Sequence, residues 1–423
     1  MKGHHHKPKL RHPLEIRRER LNGQDIIVLQ CPLGITEAPL ALLPAAGPLL
    51  GAFTGELSFE EILEQSNKMG YTREHLEGLL SLLDEHYFLE SEQFHHLRDT
   101  FQRSYFSKPS RAASLAGICY SSAPERLAQE LQESLNEGSS PTKEACPHGT
   151  HLAVLKSPHI DYTRGGTVYG DAYNALQNQH HDLYILLGTS HQFSSELFHC
   201  TKKHFTTPLG TLECDTEFVE TLAALYGPSR AYKDEYLHAK EHSLELQAPY
   251  LRYLTPKVKI APILVGGFHQ FLNDQQEPEQ YDAYESFVGA LSECLKNLLR
   301  HGGRFGFIAG VDMAHIGQHF GDKEPLTPSF LREIHQRDQE YLSCISRGSK
   351  QMLLEHIIED GDARRICGWP TMYVILDVME RLQAPFSSEL YSYRQAVDYD
   401  NDCAVTFAAM GLYSDHCVGI STL

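Results

Sequence analysis

From residue 151 onward, short apolar runs alternate with longer amphipathic ones, and this alternation restricts the fold more than any other feature. "HLAVL", "LYILLG", "VKIAPILVGG" and "FGFIAG" are strand-like. Between them, "GGTVYGDAYNALQNQ", "DTEFVETLAALYG", "HSLELQAPYLRYL" and "YDAYESFVGALSECLKNLLRHG" read as helices. The order predicts an α/β unit, a sheet covered by helices on both faces. Near-continuous apolar strands suit the doubly covered centre of such a sheet, because a half-exposed strand would alternate.

In open α/β sheets, ligands lie beyond the carboxyl ends of the strands, so the strand exits are the place to look for chemistry. "SPHIDYTRGG" follows the first strand and carries His159 and Asp161. "GTSHQ" follows the second with Ser190 and His191, and "VDMAHIG" follows "RFGFIAG" with Asp312 and His315. A further polar cluster, Glu241, His242 and Glu245, opens the helix in "EHSLE". Histidines at three strand exits point to one shared site. Neutral imidazoles with an anionic group ligate mononuclear iron, zinc or copper. An unligated histidine nearby moves protons, and an aspartate beside a ligand orients it from behind.

No HExxH and no CxxC stands in the chain, so the case for a metal rests on topology. A Ser–His–Asp hydrolase fits less well, because Ser190 lies outside a G-x-S-x-G elbow. Gly165 and Gly166 could cradle a phosphate ahead of a helix, but a plain turn explains them. Glu241 and His242 suit a helix N-cap pair as well as a catalytic role. His199, Cys200 and His204 in "LFHCTKKHF" alternate beside two lysines and read as a solvated edge strand.

A chain of 423 residues is too long for one ordinary core, so two domains are expected. A net charge of −18 argues against a nucleic-acid partner. No apolar run approaches the roughly 20 residues of a membrane-spanning helix. The basic start, which includes "HHH", has no apolar h-region behind it. With ten scattered cysteines, that gives the expectation of a cytoplasmic protein with reduced thiols.

Residues 1–95 form a separate small unit in this reading. "DIIVLQCP" is strand-like, and "SFEEILEQSNKMG" carries a capping box at Ser58 and Glu61. Leu76, Leu79, Leu80 and Leu83 mark an amphipathic helix running into a strand. The stretch "GELSFEEILEQ…GYTREHLEGLLSLLDEHYFLE" resembles the PqqD-like family of small winged-helix-like, peptide- and partner-binding domains. Residues 96–113 are read as a linker, and 114–423 as the metal-binding domain.

The second part resembles the Memo family, AmmeMemoRadiSam system protein B, over roughly residues 112–415. The resemblance is carried by "SLAGICY", "SPHIDYTRGG", "GTSHQ", "EHSLELQAPYL", "VDMAHIG" and "RICGWP", in the family's order and spacing. It implies the fold of class III extradiol dioxygenases and a metal held by His159, His191 and Cys367. It implies Fe(II), with Cu or Zn as alternatives. His242 or His315 would act as acid or base, with Asp312 orienting. Asp161, Tyr162, Gln192, Glu241 and Trp369 would face a small phenolic or peptide-linked substrate. A radical S-adenosylmethionine system at the N-terminal unit is the implied partner. An adaptor or metal handler without turnover is the competing expectation. The sequence departs from the family at Asp161, Gln192, Leu115, Trp369 and Pro370. Trp369, the chain's one tryptophan, fits an aromatic wall beside the metal or a packed aromatic near a loop.

Overall fold

The structure, a computed structural model, describes residues 6–21, 23–32, 35–36, 38–139, 151–177, 179–274 and 277–415. The chain divides into two compact units, Met1–Lys108 and Pro109–Leu423.

The first unit holds a three-stranded antiparallel sheet of β1 (Glu15–Leu21), β2 (Gln24–Gln30) and β3 (Leu40–Leu42) with helices beside it. The capping box opens the helix Phe59–Asn67: Ser58 Oγ accepts the Glu61 N–H at 3.3 Å, and Glu61 Oε2 accepts the Ser58 N–H at 2.7 Å. The helix Arg73–Glu85 buries Leu76, Leu80 and Leu83 against this unit's own core. The strand expected after it shrinks to one bridge, Leu10 with Leu89. Residues 96–106 continue a helix that begins at Glu92, inside the first unit.

The second unit is mixed α/β. A small sheet joins β4 (Ser110–Arg111), β8 (His204–Thr207) and β9 (Gly210–Leu212). The large sheet has eight strands. These are β5 (His151–Ser157), β6 (Leu183–Thr189), β7 (Phe198–Cys200), β10 (Lys259–Val265), β11 (Phe305–Gly310), β12 (His315–Ile316), β13 (Ser387–Asp398) and β14 (Cys403–Ser414). Their order is β12-β14-β5-β11-β6-β10-β7, with β13 paired to β14. The four predicted apolar strands β5, β11, β6 and β10 form its parallel centre. β11 and β6 are buried at every position. The long hairpin β13–β14 closes one side and was not read from the sequence. The predicted edge strand, β7, does stand at the other edge, but it is not solvated: His199 and Cys200 are fully buried.

Gly165 and Gly166 lie inside the helix Tyr162–Asn174 rather than ahead of it, so no phosphate nest forms there. Among the described residues, no helix is long and apolar enough to cross a membrane.

Candidate metal centre

β5, β11 and β6 run parallel, with Ser157 opposite Gly310 and Gly310 opposite Gly188. Their exits therefore meet at one edge of the sheet, and the predicted histidines converge there.

His159 follows Pro158 directly after β5 and is 2% exposed. Its backbone N–H donates to Asp312 Oδ1 at 2.9 Å, and its Nδ1 lies 2.9 Å from the Gly310 carbonyl. A carbonyl only accepts, so Nδ1 carries the proton and Nε2 keeps its lone pair. That Nε2 is 3.4 Å from Cys367 Sγ and 3.8 Å from Asp312 Oδ2. His191 directs Nδ1 to Glu241 Oε1 at 2.9 Å and gives its backbone N–H to Glu241 Oε2 at 2.9 Å. His242 Nδ1 lies 3.2 Å from the same Oε1. The His191 and His242 rings stack with centroids 4.2 Å apart, and each lies 5.0 Å from the His159 ring. One ring nitrogen from each of the three falls within 4.8 Å of the others.

The scaffold fixes these positions from several sides. Gly310 needs to be glycine, because a Cβ there would collide with the Ser243 carbonyl of the helix that carries His242. Ser243 Oγ donates to the Thr189 carbonyl at 2.8 Å, and Gln247 Nε2 to the Pro158 carbonyl at 2.8 Å. The opening segment grips the same helix through Glu245. That carboxylate accepts from Arg111, from Ser114 Oγ and the Leu115 N–H at 2.7 Å each, and from Tyr120 Oη at 2.8 Å.

Cys367 is held two residues ahead of the helix Trp369–Arg381, its carbonyl accepting from Thr189 Oγ1 at 3.0 Å. At Gly368 a Cβ would lie 2.6 Å from the Asp312 carbonyl, so this close approach again requires glycine. Arg365 is left-handed, with φ 51°. Its carbonyl lies 3.2 Å from His315 Nδ1, and its guanidinium donates to the His315 carbonyl at 2.9 Å and to Asp322. A strained backbone at such a place is held by its surroundings.

Electrostatics sort the groups. Burial first, then His191 and His242, hold His159 well below the usual imidazole range. Burial, with His191 adding to it, brings His242 and His315 each down to about 4. These three are therefore neutral at pH 7, with lone pairs available. His191 goes the other way: burial opposes its charge, but Glu241 and Cys367 outweigh burial and hold it well above the usual range. Glu241 stays ionised because His191 and His242 overcome its burial. Burial lifts Asp312 to about 6 and also raises the Cys367 thiol, which His191 pulls back.

The profile of the family described as Memo-like protein matches residues 111–411. The chain belongs to this family. A MEMO1 family protein of Aquifex aeolicus is 27% identical over 392 residues, covering 92% of this chain and 96% of that protein. The aligned length exceeds the whole second unit, so the likeness extends into the first. A MEMO1 family protein of Methanobrevibacter smithii is 24% identical over 310 residues, covering 72% of this chain and 99% of its own length. One from Thermus thermophilus is 28% identical over 297 residues, covering 70% and 81%.

Within this Memo-like unit, the residues expected from sequence are placed unevenly. His159, His191 and Cys367 meet, and His242, read as an acid or base, stands with the ligand candidates. His315 and Asp312 adjoin them. Glu241 faces the imidazoles and contacts both His191 and His242.

Three residues assigned to substrate have other work. Asp161 caps the helix Tyr162–Asn174, accepting from the Arg164 N–H at 3.1 Å and its Nε at 2.6 Å. Tyr162 donates its hydroxyl to the Leu246 carbonyl at 2.6 Å and packs among Tyr120, Tyr169 and Tyr250. Trp369 is 1% exposed and packs on Phe268 and Tyr373 in the main core, two positions after Cys367.

Gln192 stays half-buried beside His191, with its carbonyl accepting from Ser190 Oγ at 3.1 Å. Sequence reading missed Lys156, Gln247 and Arg365. Lys156 alone left a signal, a charge inside an apolar strand.

Proposed function

We propose that the second unit is a mononuclear metal protein that oxidises a small phenolic or peptide-linked substrate with dioxygen as the oxidant, with Fe(II) as its metal and Cu or Zn as rival ions. One observation carries this reading: three imidazoles offer ring nitrogens to a common point, and two of them have Nδ1 anchored on the same carboxylate. Anchoring one ring nitrogen so that the other faces a metal is the arrangement metalloproteins use. The residues fit an ion of borderline softness, with His159, His191 and either His242 or Cys367 as ligands. A bound metal would supply Lewis acidity, and iron or copper would add one-electron chemistry that zinc cannot.

The chain's own residues would do the rest. Asp312 holds the His159 backbone, and the Gly310 carbonyl fixes its ring. His315, neutral at pH 7 and with Nδ1 held by the Met313 and Arg365 carbonyls, would take a proton from a substrate hydroxyl at Nε2. The half-open side, where the His191 and His242 side chains are 31% and 38% exposed, would admit the substrate.

The test is metal analysis of anaerobically expressed protein, followed by oxygen uptake with a panel of catechols. Stoichiometric iron and steady uptake that vanishes in Cys367→Ala support the proposal. Protein that refuses iron, or His159→Ala that binds it as tightly as wild type, ends it. The same exposure of His191 and His242 favours a second reading, a metal carrier that exchanges its ion with a partner docked on the first unit. Tight metal binding without oxygen uptake would favour the carrier.

A further inference from the structure

Lys156 stands inside β5, in a run whose neighbours Ala153, Val154 and Leu155 are fully buried, and is itself 1% exposed. Its Nζ donates to the Val311 carbonyl at 3.3 Å and the Ala408 carbonyl at 3.1 Å. Val311 immediately precedes Asp312, so the ammonium lies at the strand ends that carry the histidine cluster. Two other buried cations of this unit, Arg111 and Arg364, are each paired with a carboxylate. Lys156 is met by neutral oxygens instead.

An ammonium removed from water is expensive to keep. Carbonyl dipoles satisfy its hydrogen bonds but leave its charge uncancelled. The charges it does feel are those of Asp312 and Cys367, and beyond them Asp338. Asp312 holds His159 by its backbone, and Cys367 touches the His159 ring. Burial brings the lysine down only to about 8, so it remains a cation at neutral pH. A plain packing role would be met by leucine or methionine, whose burial carries no such penalty.

We propose that Lys156 is an electrostatic element of the metal centre: a fixed buried cation that lowers the affinity of the histidine–cysteine set for a divalent ion. This rests on the metal reading above. The repulsion follows from Coulomb's law, since a dication and a unit charge near it inside a protein are poorly screened. The lysine thereby keeps the bound ion exchangeable and offsets the negative charge that Cys367 and Asp312 bring.

Co(II) is a suitable probe, because its absorption reports ligation without any turnover. Full-length wild type, Lys156→Met, Lys156→Gln and Lys156→Arg would be titrated and their melting temperatures recorded. Lys156→Met is expected to bind Co(II) at least about tenfold more tightly than wild type. Its melting temperature should stay at or above that of wild type, since the cost of burying the ammonium disappears along with its bonds to two carbonyls. Lys156→Gln keeps a donor and should shift affinity in the same direction. Lys156→Arg keeps the charge and should stay within about threefold of wild type.

A gain in affinity separates this role from a structural one, which would weaken both binding and stability. If wild type binds Co(II) and neither neutral variant binds it more tightly, the inference falls and the metal reading stands. If wild type gives no Co(II) absorption, the metal reading falls and takes this inference with it.

Discussion

Cys367 Sγ lies 3.4 Å from His159 Nε2, although 208 positions separate the two residues in the chain. The contact exists because β5 and the helix Trp369–Arg381 deliver their ends to the same edge of the sheet. Of the free cysteines among the described residues, Cys200, Cys214, Cys294 and Cys344 are buried elsewhere in the same unit. A bound metal should therefore shield Cys367 selectively. Iodoacetamide labelling followed by peptide mass spectrometry should show Cys367 modified in metal-free protein and protected by at least about tenfold after loading, as a coordinated thiolate is no longer a free nucleophile. Equal labelling in both states would remove Cys367 from the ligand set.

Glu241 anchors two imidazoles at once, so its charge should matter more than its shape. In Glu241→Gln one acceptor oxygen remains, but the ionised partner of His191 is gone. Metal affinity, measured by competition with a chelator, should fall by about 10–100-fold, the usual effect of losing a partner that orients a ligand. Circular dichroism should remain that of wild type. An unchanged affinity would mean that the His191 and His242 rings are fixed by packing alone.

Much of this centre was legible in the sequence, and the exceptions share a physical cause. The apolar runs of β6 and β11 announced a doubly covered sheet, and the strand-exit rule then found His159, His191 and His315 without further help. Family resemblance was needed for Cys367, because a cysteine in a loop carries no periodic signal. Glu241 was visible as a polar residue at a helix start, but its two histidine partners depend on where β6 ends, which is tertiary information. Asp161 and Trp369 have structural partners that were hidden for a related reason. Each departs from the family pattern beside the site, and departure suggested substrate contact. In the fold, Asp161 faces its own helix and Trp369 faces Phe268 and Tyr373.

Asp161 accordingly gives a stability prediction rather than a specificity one. Its side chain accepts the Arg164 N–H at the start of the helix Tyr162–Asn174. Asp161→Ala should lower stability by about 1 kcal/mol, the usual cost of losing an N-cap. Asp161→Asn, which still caps, should lose much less. Metal affinity should stay within about threefold in both, since 1.4 kcal/mol corresponds to tenfold and the cap does not touch a ligand. Denaturant melts and metal titration on the same samples would check it, and a large affinity loss in Asp161→Asn would return the residue to the site.

Histidines outside the centre should add their own pH effect on folding. Burial brings His181 and His199 down to about 4 and His238 to about 3, while each is close to 6.5 in the unfolded chain. The unfolded state therefore binds protons first as pH falls. The stability these neutral histidines carry is complete above pH 6.5 and is lost between there and about pH 4, at up to about 1.4 kcal/mol per histidine per pH unit. His199 is the clearest test. It is fully buried, and neither ring nitrogen has a hydrogen-bond partner among the described residues, whereas His238 at least reaches the His199 carbonyl at 2.9 Å. His199→Leu removes both the titration and the unpartnered polar atoms, which cost about 1–3 kcal/mol when buried. It should raise stability at pH 5 more than at pH 8, and urea melts across that range would show the acid limb flattening. A variant whose acid limb runs parallel to that of wild type would show that His199 does not take part in acid unfolding.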